Sequence, residues 1–393
     1  MMAQTPELSG SIERLSSYTE IDPENSELWM ALADAQDRGG DKQAAAVSYR
    51  RVLELEPGHA IARARLAGIE VTRGEFSSAS SVFAQLVVED NGDAVMRENL
   101  AFTLFCQSKF EESIAEYEIA ASMGAPSSQN YAFRARAHHH LGRLEDAEEL
   151  ARVWVERDDT PEAHGYLALV EMDAEKNDDA FRRAMMVLKR ERTNIDAQTV
   201  VGSVLLERHE LEDAHEVFQH LVRQQERNPR AWFGLGTTRL NRQDFDGSIE
   251  ALERAVEQMP DHGGARVTLG WAHLLHQDFE AAERVFLKAT HVNRNFSEAH
   301  GGYASILAIL GREDEARKSV RRAKGLDRDC FGSAFAESVM LERRGKRDDA
   351  VEVIENALSR SPKPGEPPLI QTIEDHLRRQ AARAGTPNET RSH

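Results

Sequence analysis

One spacing governs this sequence: residues of the same kind return every 34 positions. In a block that begins at Ser26, Trp29, Leu32, Ala33, Ala45, Tyr49, Val52 and Pro57 occupy phases 4, 7, 8, 20, 24, 27 and 32. A block that begins at Pro229 repeats the series as Trp232, Leu235, Gly236, Ser248, Leu252, Ala255 and Pro260. A ruler set at 26, 60, 94, 128, 161, 195, 229, 263, 297 and 331 fits ten times, with only the step from 128 to 161 one residue short. Phase 20 is small in every block: Ala45, Ala79, Ser113, Ala147, Ala180, Ala214, Ser248, Ala282, Ala316 and Ala350. A period of this length means one supersecondary unit stacked on copies of itself.

The unit is helical. Phases 4, 8 and 11 form one stripe of a first helix, and phases 20, 24 and 27 one stripe of a second. Small residues at 8 and 20 let two helices approach while large ones at 7 and 24 fill the adjoining space. Gly40, Gly74, Gly142, Gly311 and Gly345 share phase 15, where a first helix ends and a left-handed residue is useful. The spacing resembles the tetratricopeptide repeat family over residues 26–364. That resemblance implies an all-α solenoid of helix hairpins.

The ends extend the pattern. Ser11, Leu15, Tyr18 and Pro23 match phases 20, 24, 27 and 32, so 1–25 reads as a lone second helix capping the N-terminal side. After Pro367 and Pro368, Leu369, Ile373, Leu377 and Ala381 recur every four residues, which predicts a capping helix over 365–384 and a disordered tail over 385–393. Between the caps lie repeats one to four (26–160), an irregular fifth (161–194) and repeats six to ten (195–364). The fifth has His164 at phase 4 and runs into Asp173-Ala174-Glu175-Lys176-Asn177-Asp178-Asp179, so 156–180 is expected to bend most easily, between semi-rigid arms at 1–160 and 181–384.

Charge and composition exclude several functions. Lys+Arg number 49 against 67 Asp+Glu, and the acidic excess lies in the first 200 residues. An acidic body repels phosphate backbones, so no nucleic acid is expected as a partner. No apolar run approaches the ~18 residues of a membrane span, and no basic region followed by an apolar stretch opens the chain. The expected place is cytoplasmic, and an Arg-rich, Lys-poor composition points to a bacterial source. Cys106 and Cys330 offer neither a disulfide framework nor a zinc site, being separated by several stacked units.

Motifs that suggest chemistry dissolve against the period. The pairs Glu111-Glu112, Glu145-Asp146, Asp178-Asp179, Glu212-Asp213, Asp314-Glu315 and Asp348-Asp349 all sit at phases 18 and 19, joined at phase 18 by Asp246 and Glu280. An active site occurs once; these recur, in the first turn of each second helix, where negative charge complements the helix dipole. His138, His139 and His140 are consecutive and fan apart by ~100° each. His215 and His220 are five apart, not the four that a zinc-protease helix requires. His273 and His276 are better spaced, but no nearby acidic ligand completes a set with them, and Gly234-Leu235-Gly236 lies inside a helix and reads as packing. No catalytic, metal or cofactor site is read here.

In the resembled family the first helices line the concave groove, which implies phases 2, 5, 6, 9, 12 and 13 as binding positions. Two regions stand out. The first is Asn99, Phe102, Phe105, Phe133, Arg136, His139, His140, Tyr166, Leu169 and Met172, aromatic with Arg and His beside it, suited to an amphipathic segment with some negative charge. The second is Phe233, Leu240, Val267, Trp271, Leu274, Leu275, Ile309, Phe335 and Val339, nearly uncharged, with Trp271 also placed to serve as inner core.

Some of the family's specialised roles are absent by residue. No three consecutive repeats carry the Lys, Asn and Arg series of a carboxylate clamp for chaperone tails. Only Asn99 fits the asparagine ladder of the glycosyltransferase superhelix, and the N-terminal segment cannot supply the helix-turn-helix of a pheromone receptor. The resemblance therefore implies a non-enzymatic scaffold, adaptor or chaperone-like protein that holds a peptide or an amphipathic or basic segment. Two alternatives stand beside it: a self-assembling homo-oligomer that docks its final helix into a neighbour, and a targeting subunit of a bacterial secretion or polysaccharide-export complex.

Overall fold

The computed structural model describes residues 6–89, 93–124, 126–360 and 371. Among these residues every regular element is an α-helix, and there are 21 of them. First comes α1 (Pro6–Ile21). Ten pairs follow: α2 (Ser26–Arg38) with α3 (Lys42–Leu55), α4 (Ala60–Thr72) with α5 (Phe76–Glu89), and α6 (Ala94–Cys106) with α7 (Phe110–Ser122). Next are α8 (Ser128–His140) with α9 (Leu144–Arg157), α10 (Pro161–Asp173) with α11 (Asn177–Arg190), and α12 (Ile195–Glu207) with α13 (Leu211–Gln224). The last are α14 (Pro229–Asn241) with α15 (Phe245–Gln258), α16 (Gly263–Leu275) with α17 (Phe279–Val292), α18 (Ser297–Ile309) with α19 (Glu313–Leu326), and α20 (Phe331–Arg343) with α21 (Arg347–Leu358). The helix expected over 365–384 and the tail over 385–393 lie outside the described residues.

The start and stop of each helix follow from residues at fixed phases. The residue before each first helix is Asn25, His59, Asp93, Ser127, Thr160, Asn194, Asn228 or His262 in eight pairs, and each side chain accepts a backbone N–H of the first turn. The phase-18 and phase-19 carboxylates fall in the first turns of the second helices, where the macrodipole favours them. Each first helix ends in a left-handed residue, at Gly40, Gly74, Gly142, Gly311 and Gly345 and equally at Ser108, Glu175, His209, Gln243 and Gln277.

The chain divides into two units, Met1–Arg183 and Ala184–His393. In the first unit the core is a chain of small clusters between successive helices. Ala33, Ala45, Tyr49, Val52 and Ala62 form one, and Ala67, Ala79, Phe83, Leu86 and Leu100 the next. The fifth pair keeps the common helix lengths, and an ion network around the buried carboxylates of Glu148 and Glu171 ties α9, α10 and α11 together. Glu171 accepts both Nε and Nη2 of Arg183, at 2.8 and 2.9 Å, while Glu148 is held by Arg152 and Lys176. Burial alone would raise the Glu148 carboxyl, but those hydrogen bonds and charges outweigh it and bring it below the usual carboxylate range.

In the second unit phase 24 carries the large side chains. Phe218 is wedged between α12 and α14: a Cβ at Gly202 would lie 2.9 Å from its ring and one at Gly234 2.3 Å. Phe286 occupies the equivalent place between Gly270 and Gly302. The small residues of the first helices therefore make room for a ring from the second helix. In both units, first helices of adjacent pairs also pack on one another, as α6 does on α8 and α18 on α20. Between α18 and α20 the backbones themselves approach, and a Cβ at Gly332 would meet the Gly301 carbonyl carbon at 2.6 Å. Ser305 Oγ donates within this contact, 2.9 Å from both Gly301 O and Gly332 O.

Candidate interaction surfaces

The first-helix face of the first unit is built on rings. Phe102 and Phe105 on α6 meet Phe133 on α8 edge-on, with centroids 4.9 and 5.3 Å apart. Phe110, at the start of α7, stacks on His140 at 4.6 Å and an interplanar angle of 3°. Arg136 lies over three rings, 4.8 Å from the centroids of Trp154 and Tyr166 and 5.6 Å from that of Phe133. Its guanidinium also donates to Glu162 at 2.8 Å. His139 bridges Tyr166 Oη (3.0 Å) and Asp173 Oδ2 (2.7 Å). Arg136 and His139 thus each already have an acidic neighbour, so the surface is aromatic with these polar groups engaged.

The three consecutive histidines diverge as their spacing requires. His138 points into the core, its Nδ1 3.3 Å from Asp146 Oδ2, and burial holds its pKa below the usual imidazole value. His139 turns to α10 and His140 to Phe110.

On the second unit the face centres on Trp271. Its ring is edge-on to Phe286 at 5.5 Å and to Phe335 at 5.7 Å, and Phe331 lies 6.3 Å away. Gly301 leaves α18 bare at this level, where α20 settles onto it, and Phe335 comes within reach of Trp271 on α16. The N-terminus of α20 is held from α18: the Glu298 carboxylate accepts the N–H groups of Phe331 (2.9 Å) and Gly332 (3.2 Å). Leu275, half exposed at 50%, and Leu310 at 42% continue the apolar surface beyond the rings.

The nineteen residues singled out from the sequence fall into three environments. Tyr166, Leu169, Val267 and Leu274 are buried and form the floor. Phe102, Phe105, Phe133, Arg136, His139, Met172, Phe233, Leu240, Trp271, Ile309, Phe335 and Val339 are half-buried. Asn99, His140 and Leu275 are exposed. Sequence reasoning missed Phe110, Trp154, Phe331 and Leu310, all at phases outside the six considered, and the carboxylates Glu162 and Asp173 that engage Arg136 and His139. Those carboxylates occupy phases 2 and 13 and were open to the same counting.

Among the described residues, no helix is long and apolar enough to cross a membrane. Comparison with family profiles gives two matches, both described as tetratricopeptide repeat, one over residues 239–306 and the other over 10–60, 30–94, 103–161 and 202–263. No curated protein matches the sequence. Among solved structures, the chain is similar to the yeast Tom70, with 14% identity, 96% of this chain and 93% of that chain covered, and a TM-score of 0.39. It is similar to Cut9 in the APC/C hetero-tetramer Cut9-Hcn1, with 12% identity, 88% and 81% covered, and a TM-score of 0.46. YrrB, a TPR protein with an unusual peptide-binding site, matches at 17% identity over 51% of this chain and 97% of that chain, with a TM-score of 0.35.

Proposed function

The chain belongs to the tetratricopeptide repeat family, and we propose that it is a non-enzymatic scaffold that holds an amphipathic segment of a partner protein against its first-helix faces. One observation carries the reading. Rings from successive first helices meet in partly exposed clusters, Phe102, Phe105 and Phe133 in the first unit and Trp271 and Phe335 in the second. Apolar patches of this kind mark interaction sites more often than bare surface. Leu275 is the informative residue because it is half exposed and lies at the end of α16.

The test is a displayed library of amphipathic peptides selected on the full chain, with affinities measured by fluorescence polarisation. The selected peptides should bind Leu275→Glu at least about tenfold more weakly, a loss of ~1.4 kcal/mol. Far-ultraviolet circular dichroism should show the variant's helix content unchanged. Peptides that bind wild type and variant alike, or a library that yields no binder, reject the reading.

A further inference from the structure

In five of the ten repeats the side chain at phase 4 reaches back over the preceding loop and donates to the carbonyl six residues earlier. Trp29 Nε1 donates to Pro23 O at 3.0 Å, and Trp232 Nε1 to Glu226 O at 2.7 Å. Gln198, Arg266 and His300 make the same reach, to Arg192 O (2.6 Å), Pro260 O (2.6 Å) and Arg294 O (3.0 Å). The polar contact survives the change of residue, but the indole's bulk does not. Around Trp232 that bulk is covered by the phase-26 residue, Arg254, whose guanidinium lies 5.0 Å from the ring centroid.

In the unit that begins at 195, the same two phases hold Gln198 and His220. There a cavity of about 410 Å³ lies between α11, α12 and α13, lined by Leu188, Arg192, Gln198, Glu216, Val217 and His220. Leu188 and Val217 give it apolar walls, and Arg192, Glu216 and His220 of its lining are exposed. Gln198 is only 6% exposed. With its Nε2 engaged by Arg192 O, its Oε1 is buried without a donor. A buried acceptor in that state favours any occupant that brings an N–H.

We propose that this cavity is a socket for a tryptophan side chain carried by a partner protein. The argument is internal to the molecule, because the protein places its own indole at the corresponding position in two other repeats. The socket offers what an indole needs: apolar walls for the ring, an unsatisfied oxygen for the N–H, and a phase-26 side chain to lie over it. The volume is within the range of ligand sites, ~300–1,000 Å³. The socket lies on the second-helix side of the repeat, apart from the ring clusters of the first-helix faces.

The experiment uses the full chain with labelled Leu and Val methyl groups, titrated with N-acetyl-tryptophanamide as the probe. Saturable shifts at the Leu188 and Val217 methyls are expected. Gln198→Trp fills the socket from within and should weaken probe binding by about tenfold or more while raising the melting temperature. Val217→Arg, which blocks the cavity without changing its floor, should weaken it as well. Leu275→Glu should leave the probe's affinity unchanged, which separates this site from the first-helix patches. Absent or unsaturable shifts in the wild type, or equal binding by both blocking variants, overturn the proposal. Tighter binding of free tryptophan than of the capped amide overturns it too, since the socket would then serve a free amino acid.

Discussion

At the scale of single residues, the left-handed position that ends each first helix offers a direct measurement. Five of the ten units place Gly there, and Ser108, Glu175, His209, Gln243 and Gln277 adopt the same conformation with φ between 57° and 63°. An L side chain in that region costs about 1–2 kcal/mol, part of which Gly returns through its freer unfolded state. Gln243→Gly should therefore stabilise the chain by about 0.5–1 kcal/mol, read from the urea midpoint, and an unchanged or lower midpoint contradicts the account. The opposite change tests the ring sockets of the core. A Cβ at Gly234 falls 2.3 Å from the Phe218 ring, so Gly234→Ala should cost about 1–3 kcal/mol, and Phe218→Leu in the same chain should recover part of it. The first of these positions was half legible in the sequence: five glycines in register announced the turn. The five other residues concealed it, because register, not residue type, imposes the conformation.

At the scale of elements, the helices and their pairing were legible because their causes are local. Capping residues, first-turn carboxylates and a 3.6-residue apolar stripe all lie within one 34-residue block. What was not legible depends on two blocks at once. Gly301 finds its role only once α20 settles onto α18, a contact that also brings Phe335 to Trp271, while the neighbouring Gly302 makes room for the Phe286 ring. The start of α20 is a second case, since Cys330 does not cap it with its own side chain and Glu298 supplies two acceptor contacts from α18. Glu298→Ala should accordingly destabilise the chain by about 1–2 kcal/mol, and Glu298→Gln, which keeps an acceptor, by less. Thermal unfolding ranks the two, and equal losses would mean that the carboxylate contributes only charge. Cys330, 2% exposed with burial pushing its thiol up to about 11, should react with a thiol reagent no faster than the helices open. The segment 156–180, proposed as the easiest to bend, is tested separately: its amides should exchange faster than those of the pairs on either side.

At the scale of the whole molecule, burial of histidines sets how stability answers to acid. His138 and His273 are each 8% exposed, and desolvation holds both pKa values below the ordinary imidazole value of ~6.5. Asp146 opposes the shift at His138 and Asp278 opposes it at His273, without cancelling it. His215 and His262 are displaced in the same direction, again chiefly by desolvation. The unfolded chain therefore takes up protons at these sites near pH 6.5, while the folded chain takes them up only at lower pH. Between those limits the unfolded state binds more protons, so stability rises with pH; the contribution is complete above ~6.5 and is lost as pH falls through the folded values. From pH 7.5 to 5.5 the buried pair should therefore make the chain progressively less stable. His262 makes the effect separable, because its Nδ1 accepts the Ala265 N–H at 3.0 Å and caps α16, a bond that protonation removes. His262→Asn keeps an acceptor at the cap but does not titrate. Urea midpoints measured across that range should show a shallower slope for the variant than for the wild type, with the two converging near pH 7.5. Parallel slopes would mean that the cap is indifferent to the charge on His262 and that the remaining histidines carry the whole dependence.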